Sequence, residues 1–121
     1  MENKILPHDH GQISCQLIGS CPSNDDFQSI SQLLRQLGDS SRVKLFWILC
    51  HCEECVINLS AMMEMSSPAV SHHLKLLRSA QLITSRRDGK EVYYRAADNL
   101  QARLFHRLLE EMLEISCPRG N

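Results

Sequence analysis

Three cysteines and a histidine fall within six positions of the stretch ILCHCEECVIN, residues 48–58. Cysteine thiolates are soft ligands, and about three or four of them complete the shell of Zn, Cd, Pb, Cu(I) or trivalent As. Cys52 and Cys55 have the Cys-x-x-Cys spacing of a two-sulfur clamp. Two further cysteines precede the stretch on a segment that could close over it. The pattern predicts a site for a thiophilic metal or metalloid ion, with candidate ligands Cys50, Cys52, Cys55, Cys15 and Cys21.

The same thiols allow other chemistry. Cys50 lies on the apolar face of a predicted helix, where a free cysteine often acts as a small buried hydrophobe. A second alternative is a redox or reactive-sulfur sensor, in which two thiols such as Cys50 and Cys117 form a disulfide or polysulfide link. An enzyme is not indicated, because the sequence has no Cys-x-x-Cys opening a helix after a strand and no phosphate-binding loop.

Length and composition favour a single soluble domain. The chain has 121 residues, of which 43% are apolar, enough for one core. It has no run of about 18 uncharged apolar residues, and its start, MENKILPHDHGQ, lacks the features of a signal peptide. We therefore expect a cytoplasmic protein with reduced thiols and no membrane partner.

The charges are distributed unevenly along the chain, although the net charge is only -1. Residues 67–95 hold six basic and two acidic side chains, a net charge of +4, whereas the rest carries seven basic and twelve acidic ones, a net charge of -5. Such asymmetry allows one face to meet a polyanion while the remainder stays acidic.

The chain organisation predicts a flexible N-terminal arm over residues 1–23 and a domain over residues 24–117. The arm contains prolines and glycines without a sustained apolar period. From Ser23, apolar residues recur at helical spacing until Gly38, and Asp39 can cap a second helix, SSRVKLFWILC. This second helix should lie largely in the core.

Two short helical patterns follow, separated by very few residues. Asn58 can cap LSAMMEM, and Ser66 or Ser67 can cap a helix with Pro68 in its first turn. A short helix, a tight turn and a second helix with polar donors on its outer side fit a helix-turn-helix that reads the major groove of DNA. The candidate DNA contacts on this second helix are Ser67, Ser71, His72, Lys75 and Arg78.

A β-hairpin wing is predicted next. The strand patterns LITSRR and KEVYYRA flank Asp88-Gly89, a dipeptide suited to a two-residue hairpin turn. Arg86, Arg87 and Lys90 crowd the tip of this hairpin, where they could contact the sugar-phosphate backbone.

The closing segment, DNLQARLFHRLLEEMLEISC, predicts a long helix capped by Asp98. Its apolar stripe is broader than one small core can cover, which indicates packing against a second copy of the chain.

LRQLGDSSRVKLFWIL, SSPAVSHHLKLLRSAQLITSRRDGKEVYYRAAD and the closing helix resemble the ArsR/SmtB family of metal-responsive repressors over about residues 27–115. The resemblance implies a mainly α, homodimeric winged helix-turn-helix protein that represses its own operon and leaves the operator DNA when its effector binds. By position it places the recognition helix at Ser67 to Ser79 and the wing contacts at Arg86, Arg87 and Lys90. It also implies that the first and last helices form the dimer.

The family has a sensing site at the start of its third helix, around the sequence C-V-C-D. ECVIN is the matching stretch here, so Cys55 matches the first cysteine, while Ile57 and Asn58 replace the second cysteine and the acid. The usual cysteine pair is therefore broken. Cys50 and Cys52 are the candidates to replace the missing thiolate, and Cys15 and Cys21 lie on an arm that could close over them.

Two other positions depart from the family pattern. A second family site, on the closing helix, uses Asp and His; Asp98 is present here, but Leu100 and Glu111 replace the histidines, so that site is not expected. Glu64 occupies the turn between the two short helices, where the family usually has glycine.

Overall fold

The computed structural model describes residues 5–8, 10 and 13–116, apart from the side chains of Cys15 and Ser116. The chain divides into two compact units, residues 1–32 and 33–121. Its elements are α1 (Ser14–Gly19), α2 (Asn24–Gln36), α3 (Ser40–His51), β1 (Glu54–Cys55), α4 (Val56–Met63), α5 (Ser67–Ser79), β2 (Ile83–Asp88), β3 (Glu91–Ala96) and α6 (Leu100–Ser116). The predicted fold class, mainly helical with a β-hairpin wing, is confirmed. None of the described helices is long and apolar enough to cross a membrane.

Helix α2 begins with a reciprocal cap. The Oγ atom of Ser23 accepts a hydrogen bond from the backbone N–H of Asp26 (3.2 Å), and the Asp26 carboxylate accepts one from the N–H of Ser23 (3.3 Å). This capping box satisfies two amide groups that the helix itself leaves unpaired, so the predicted start of the helix is confirmed. Within the predicted arm, the short helix α1 precedes it.

Helix α3 forms the centre of the core in the second unit. Asp39 caps it by accepting a hydrogen bond from the N–H of Arg42 at 2.9 Å, and this bond lowers the pKa of the Asp39 carboxyl. Cys50 is half-buried and packs against the core. The fully buried side chains of this core are Leu45, Phe46, Leu59, Val70, Leu74, Leu77, Leu82 and Ile83.

The helix-turn-helix consists of α4 and α5. Ser66 caps α5, because its Oγ atom accepts from the N–H of Ala69 at 3.3 Å, and α5 covers the predicted recognition helix, Ser67–Ser79. The predicted cap at Asn58 is wrong, because α4 starts at Val56, immediately after β1. The Asn58 amide instead donates to the Glu54 carboxylate at 2.8 Å.

The hairpin forms as predicted, but its turn lies one residue further along the chain. Asp88 pairs with Glu91, so the two central residues are Gly89 and Lys90 rather than Asp88-Gly89. Gly89 has a φ of +64°. A turn with positive φ at its first central residue needs glycine only there, which leaves Asp88 free to stay in the strand.

Strand β1 was not predicted. Its two residues pair antiparallel with β3, Glu54 with Tyr94 and Cys55 with Tyr93, so the described strands lie in the order β1-β3-β2. The cysteine-rich segment is therefore attached directly to the wing.

The cap of α6 also differs from the prediction. Asn99, not Asp98, accepts the hydrogen bond from the N–H of Ala102 at 2.9 Å. The Asp98 carboxylate is instead paired with the guanidinium of Arg103 at 2.7 Å. The side-chain oxygen of Asn99, one residue further along the chain, reaches the N–H three residues on, so the cap moves by one position.

Glu64 ends α4 in the left-handed region, with φ 55° and ψ 43°. A side chain costs about 1–2 kcal/mol in this conformation, whereas glycine adopts it freely. We expect Glu64→Gly to raise the free energy of unfolding by up to about 1 kcal/mol, the strain relief being partly offset by the added freedom of the unfolded chain. Urea unfolding followed by circular dichroism measures this. Glu64→Ala is the matched control, since it removes the carboxylate and keeps Cβ; a glycine variant no more stable than the alanine variant would contradict the interpretation.

Candidate nucleic-acid interface and thiol segment

The outer side of α5 presents polar and basic groups to solvent. The five predicted DNA contacts on this helix are exposed, while Val70, Leu74 and Leu77 on its inner side are buried. Helical periodicity separates the two faces, because residues three or four apart share a side. The exposed set consists of Ser67, Ser71, His72, Lys75 and Arg78.

Hydrogen bonds fix one residue of this surface, Ser67, and one residue beside it, His73. The Ser67 hydroxyl lies 3.0 Å from the hydroxyl of Ser60, which links the two helices of the motif. His73 points the other way: it is half-buried, and its Nδ1 atom accepts from Nε of Arg42 at 3.3 Å. Burial lowers the pKa of His73, which favours the neutral ring that this bond requires. His73 is thus a packing residue of the scaffold rather than a reading residue.

The three basic residues of the wing differ in their surroundings. Arg86 makes a bidentate contact with Glu53, at 2.6 Å from Nη2 and 2.9–3.0 Å from Nε, and its guanidinium lies 4.9 Å from the ring centroid of Tyr93. The bond to Arg86 lowers the pKa of Glu53 and raises that of Arg86, so the pair stays ionised. Arg87 and Lys90 are exposed, and neither forms an ion pair with a residue that the structure describes.

We call residues 50–55 the thiol segment. It contains the last two residues of α3, a short connection and β1. Burial raises the pKa of Cys50 to about 12, with a smaller contribution from the charge of Glu110. Burial also raises the pKa of Cys52, whose thiol donates to the carbonyl of Ile48 at 3.4 Å. Both groups are therefore thiols at neutral pH, and a metal ion must displace their protons.

The structure does not gather the three sulfurs of this segment into a closed site. The Sγ atoms of Cys50, Cys52 and Cys55 do not all lie within 4.8 Å of one another. At least one pair of these sulfurs is therefore farther apart than that. Thiolates at about 2.3 Å from a tetrahedral ion lie about 3.8 Å from one another. Binding through all three would therefore require this segment to rearrange.

The remaining cysteines lie outside the thiol segment. Cys21 is a half-buried free thiol in the first unit. Cys15 lies in α1, but its side chain falls outside the described structure, as does the whole of Cys117. The redox alternative gains no support from Cys50, because a thiol with a raised pKa is a poor nucleophile at neutral pH.

Sequence reasoning missed two polar arrangements. One is the Glu53–Arg86 pair, which depends on the short strand β1. The other joins His51 to His106 and Glu110 on α6. His106 and Glu110 are four residues apart on a predicted helix, so their contact could have been predicted from the sequence. The contact of His51 with them could not.

Comparison with known proteins identifies the family to which this chain belongs. The model of the arsR family of bacterial regulatory proteins matches residues 39–85, which contain the helix-turn-helix. Over 92 residues the chain is 39% identical to the transcriptional repressor SmtB homolog of Synechocystis sp., an alignment covering 76% of this chain and 70% of that protein. The chain belongs to the ArsR/SmtB family of transcriptional repressors.

Other ArsR/SmtB relatives agree with this assignment. The arsenical resistance operon repressor of Staphylococcus aureus is 31% identical over 88 residues, covering 73% of this chain and 77% of that protein. The solution structure of a homodimeric winged helix-turn-helix DNA-binding domain from Mycobacterium bovis superposes with a TM-score of 0.69 at 23% identity, covering 84% of this chain and 97% of that one. This structural likeness supports the fold.

The raised pKa of Cys50 predicts a pH-dependent contribution to stability. In the unfolded chain the thiol ionises near its ordinary pKa of 9.0, whereas in the folded chain it stays protonated until about 12. The buried neutral thiol therefore stabilises the fold fully below pH 9, and this contribution is lost as the pH rises from 9 toward 12. We expect Cys50→Ala to be less stable than the wild type at about pH 7, through lost packing, with a deficit that shrinks by about pH 10. Urea unfolding at both pH values measures the difference; a constant deficit would contradict it.

Proposed function

We propose that this chain is a DNA-binding transcriptional repressor that leaves its operator when a thiophilic metal or metalloid ion, of the As(III), Cd, Pb or Zn class, binds through its cysteines. The observation that carries the proposal is the position of the thiol segment. Through β1 and Glu53 it contacts the same wing that flanks the exposed recognition helix. A change at the sulfurs is therefore transmitted to DNA-contacting elements without a long pathway.

The DNA-binding part of the proposal rests on charge and shape. Lys75 and Arg78 on α5 and Arg87 and Lys90 on the wing are exposed on a segment with a net charge of +4. Such cations bind phosphates and fix the register of the protein on the duplex, whereas polar groups on the recognition helix read base edges. Ser71 and His72 are the residues proposed for that reading, together with Ser67.

A homodimer is part of the proposal. Leu104, Leu108 and Met112 of α6 are 55%, 44% and 52% exposed and lie on one side of the helix at a spacing of four residues. An exposed apolar stripe on a helix indicates a partner surface. The homodimeric state of the Mycobacterium bovis domain supports a second copy of this chain as that partner. A dimer would present two recognition helices to two half-sites of an operator.

The proposed effector site uses Cys50, Cys52 and Cys55, with Cys15 and Cys21 as further donors from the N-terminal arm. Sulfur ligands select soft ions over Mg²⁺ and Ca²⁺. Ion binding supplies the free energy that deprotonates the thiols and draws the sulfurs together. Because Cys55 is paired in β1 and immediately precedes α4, that movement pulls on both the wing and the helix that supports α5.

The strength needed for such a switch is modest. A coupling free energy of about 1–3 kcal/mol between effector and operator changes operator affinity by about 5- to 150-fold. Displacement of either reading element by a small distance is sufficient, since base contacts depend on hydrogen-bond geometry.

The double variant Cys52→Ser/Cys55→Ser tests the proposal. We expect it to bind operator DNA as tightly as the wild type and to remain bound when Cd²⁺ or arsenite is added, because it lacks the clamp but keeps the reading surface. For both proteins, operator affinity should fall by about 1,000-fold or more between about 50 and 200 mM salt, as expected for many phosphate contacts. Fluorescence anisotropy of a labelled operator measures both properties.

Cys117→Ser is the matched control, since it removes a thiol that the proposal does not use. It should bind and release DNA like the wild type. Normal release from the double variant would refute the proposed site. Loss of release in Cys117→Ser, together with reversible oxidation in the absence of metal, would instead favour the redox sensor.

The Glu53–Arg86 pair predicts a gain of DNA affinity on its disruption. Glu53 contacts Nε and Nη2 of Arg86, while the Asp88 carboxylate lies 3.7 Å from Nη1. Glu53→Gln should therefore make the Nε and Nη2 edge of the guanidinium available to a phosphate in each protomer. We expect tighter operator binding and a steeper dependence of log affinity on log salt, by about one for each added contact. The measurement is operator affinity across a salt series.

Glu91→Gln provides the control for this change. It removes an exposed acid of the same charge from the wing. Among the described residues, the carboxylates paired with Arg86 are those of Glu53 and Asp88, not that of Glu91. It should raise affinity slightly through net charge and leave the salt slope close to that of the wild type. Equal slopes in the two variants would show that Arg86 does not gain a phosphate when its carboxylate partner is removed.

A further inference from the structure

A second group of potential metal ligands lies between the end of α3 and the middle of α6. His51 is the last residue of α3, and His106 and Glu110 are one turn apart on α6. The Nε2 atoms of His51 and His106 lie 3.0 and 3.1 Å from the same oxygen, Oε1 of Glu110. The two imidazole rings meet edge to face with centroids 5.0 Å apart. Two helices thus direct three ligand atoms to one point.

The spacing of these atoms is close to that of a first coordination shell. All three ligand atoms lie within 4.8 Å of one another. Nitrogen and oxygen ligands at about 2.1 Å from a tetrahedral zinc ion are about 3.4 Å apart. Separating the carboxylate from each imidazole by a few tenths of an ångström would make room for an ion. This change is within reach of side-chain rotation because the residues are 33–45% exposed.

We propose that His51, His106 and Glu110 form a site for a borderline divalent cation of the Zn²⁺, Co²⁺ or Ni²⁺ class. Two neutral imidazoles and a carboxylate are ligands that suit these ions, and three protein ligands leave a position for water. The ion takes the place of the protons that the imidazoles now share with the carboxylate. It connects the end of α3 to α6 and requires no thiolate.

The location of the site keeps it accessible in the proposed dimer. At about 100° per residue, His106 and Glu110 lie on one flank of the buried face of α6, whereas Leu104, Leu108 and Met112 lie on the other. The buried face between the flanks contains Ala102 and Phe105. A partner that covers the leucine flank therefore leaves the three ligands exposed to incoming ions.

The site has a built-in optical reporter. Trp47, the single tryptophan of the chain, donates a hydrogen bond from Nε1 to Oε1 of Glu110 at 3.1 Å. Its ring also packs against His51, with centroids 4.4 Å apart. A paramagnetic ion bound to these ligands would lie next to the indole and quench its fluorescence.

The group differs from the cysteines of the thiol segment in donor type, and it lies on the side of the segment that faces α6. His51 lies between Cys50 and Cys52 in the chain, yet it points to α6, whereas Glu53 and Cys55 contact the wing. The inference does not depend on effector sensing by the cysteines, so failure of one proposal leaves the other standing.

Titration of the reduced 121-residue chain with Co²⁺ tests this site. In the Cys52→Ser/Cys55→Ser variant we expect quenching of Trp47 and visible d–d absorption typical of nitrogen and oxygen ligands. Changing His106 to Asn or Glu110 to Gln in that background should weaken Co²⁺ binding by about 100-fold or more, since even loss of an outer-sphere partner costs about 10- to 100-fold. The matched control is Glu111→Gln, which removes the neighbouring exposed carboxylate and should leave binding unchanged.

Two results would overturn the inference. One is Co²⁺ binding that disappears when Cys52 and Cys55 are replaced, which would assign the ion to the thiol segment. The other is unaltered affinity and quenching in His106→Asn, which would reduce the His51–Glu110–His106 group to a hydrogen-bonded contact between helices. Because His106 is about one-third exposed, its replacement is not expected to prevent folding, and far-ultraviolet circular dichroism verifies this.

Discussion

The pairing of β1 with β3 is the constraint on which the proposed switch depends. It consists of two residue pairs, Glu54 with Tyr94 and Cys55 with Tyr93. Without it, the thiol segment would be an ordinary connection between α3 and α4. With it, the chain leaves α3, joins the wing and enters α4 within a few residues. The end of α3, the wing and the helix-turn-helix are therefore connected through one short backbone segment. A ligand that changes the conformation of this segment acts on all three.

The Glu53–Arg86 contact adds an electrostatic component to this connection. A chain with a net charge of -1 binds a polyanion only if its cations are concentrated and its anions are kept away from them. Here an acid of the thiol segment is placed directly on a cation of the wing. In the proposed complex with DNA, this intramolecular pair would compete with phosphate for the same guanidinium. The charge that Arg86 offers to DNA would then depend on the conformation of the segment that carries the cysteines.

Much of the scaffold followed from the sequence, because its signals are local. The Ser23 and Ser66 caps, the span of α5 and the hairpin around Gly89 each depend on residues a few positions apart. Errors arose where a neighbouring group offered an alternative, as when Asn99 rather than Asp98 capped α6. A local pattern specifies that a cap exists but discriminates poorly between adjacent polar residues.

The candidate site was less predictable, because its geometry depends on contacts across the fold. A two-residue strand has no periodicity, so β1 could not be recognised before β3 was seen beside it. Likewise, His51 and Glu110 are 59 residues apart, and only the packing of α3 against α6 brings them together. The cysteines were the reverse case: their clustering in sequence was evident, yet at least two of their sulfurs remain more than 4.8 Å apart. Proximity along the chain is thus a poor guide to coordination when a helix ends within the cluster.

The end of α3 explains how two ligand chemistries can occupy consecutive residues and still reach different elements. While the chain is helical, successive side chains are turned by about 100°, and His51 is the last residue to follow that rule. Cys52 then adopts an extended conformation, with φ -153° and ψ 165°, and the backbone turns toward the wing. This single change of conformation separates an imidazole directed at α6 from Glu53 and Cys55, which contact the wing. A soft ion that gathers the thiolates would act on the wing, whereas a borderline ion on the imidazoles would hold α3 against α6. Both ions would therefore act at the end of α3, the soft ion connecting it to the wing and the borderline ion connecting it to α6.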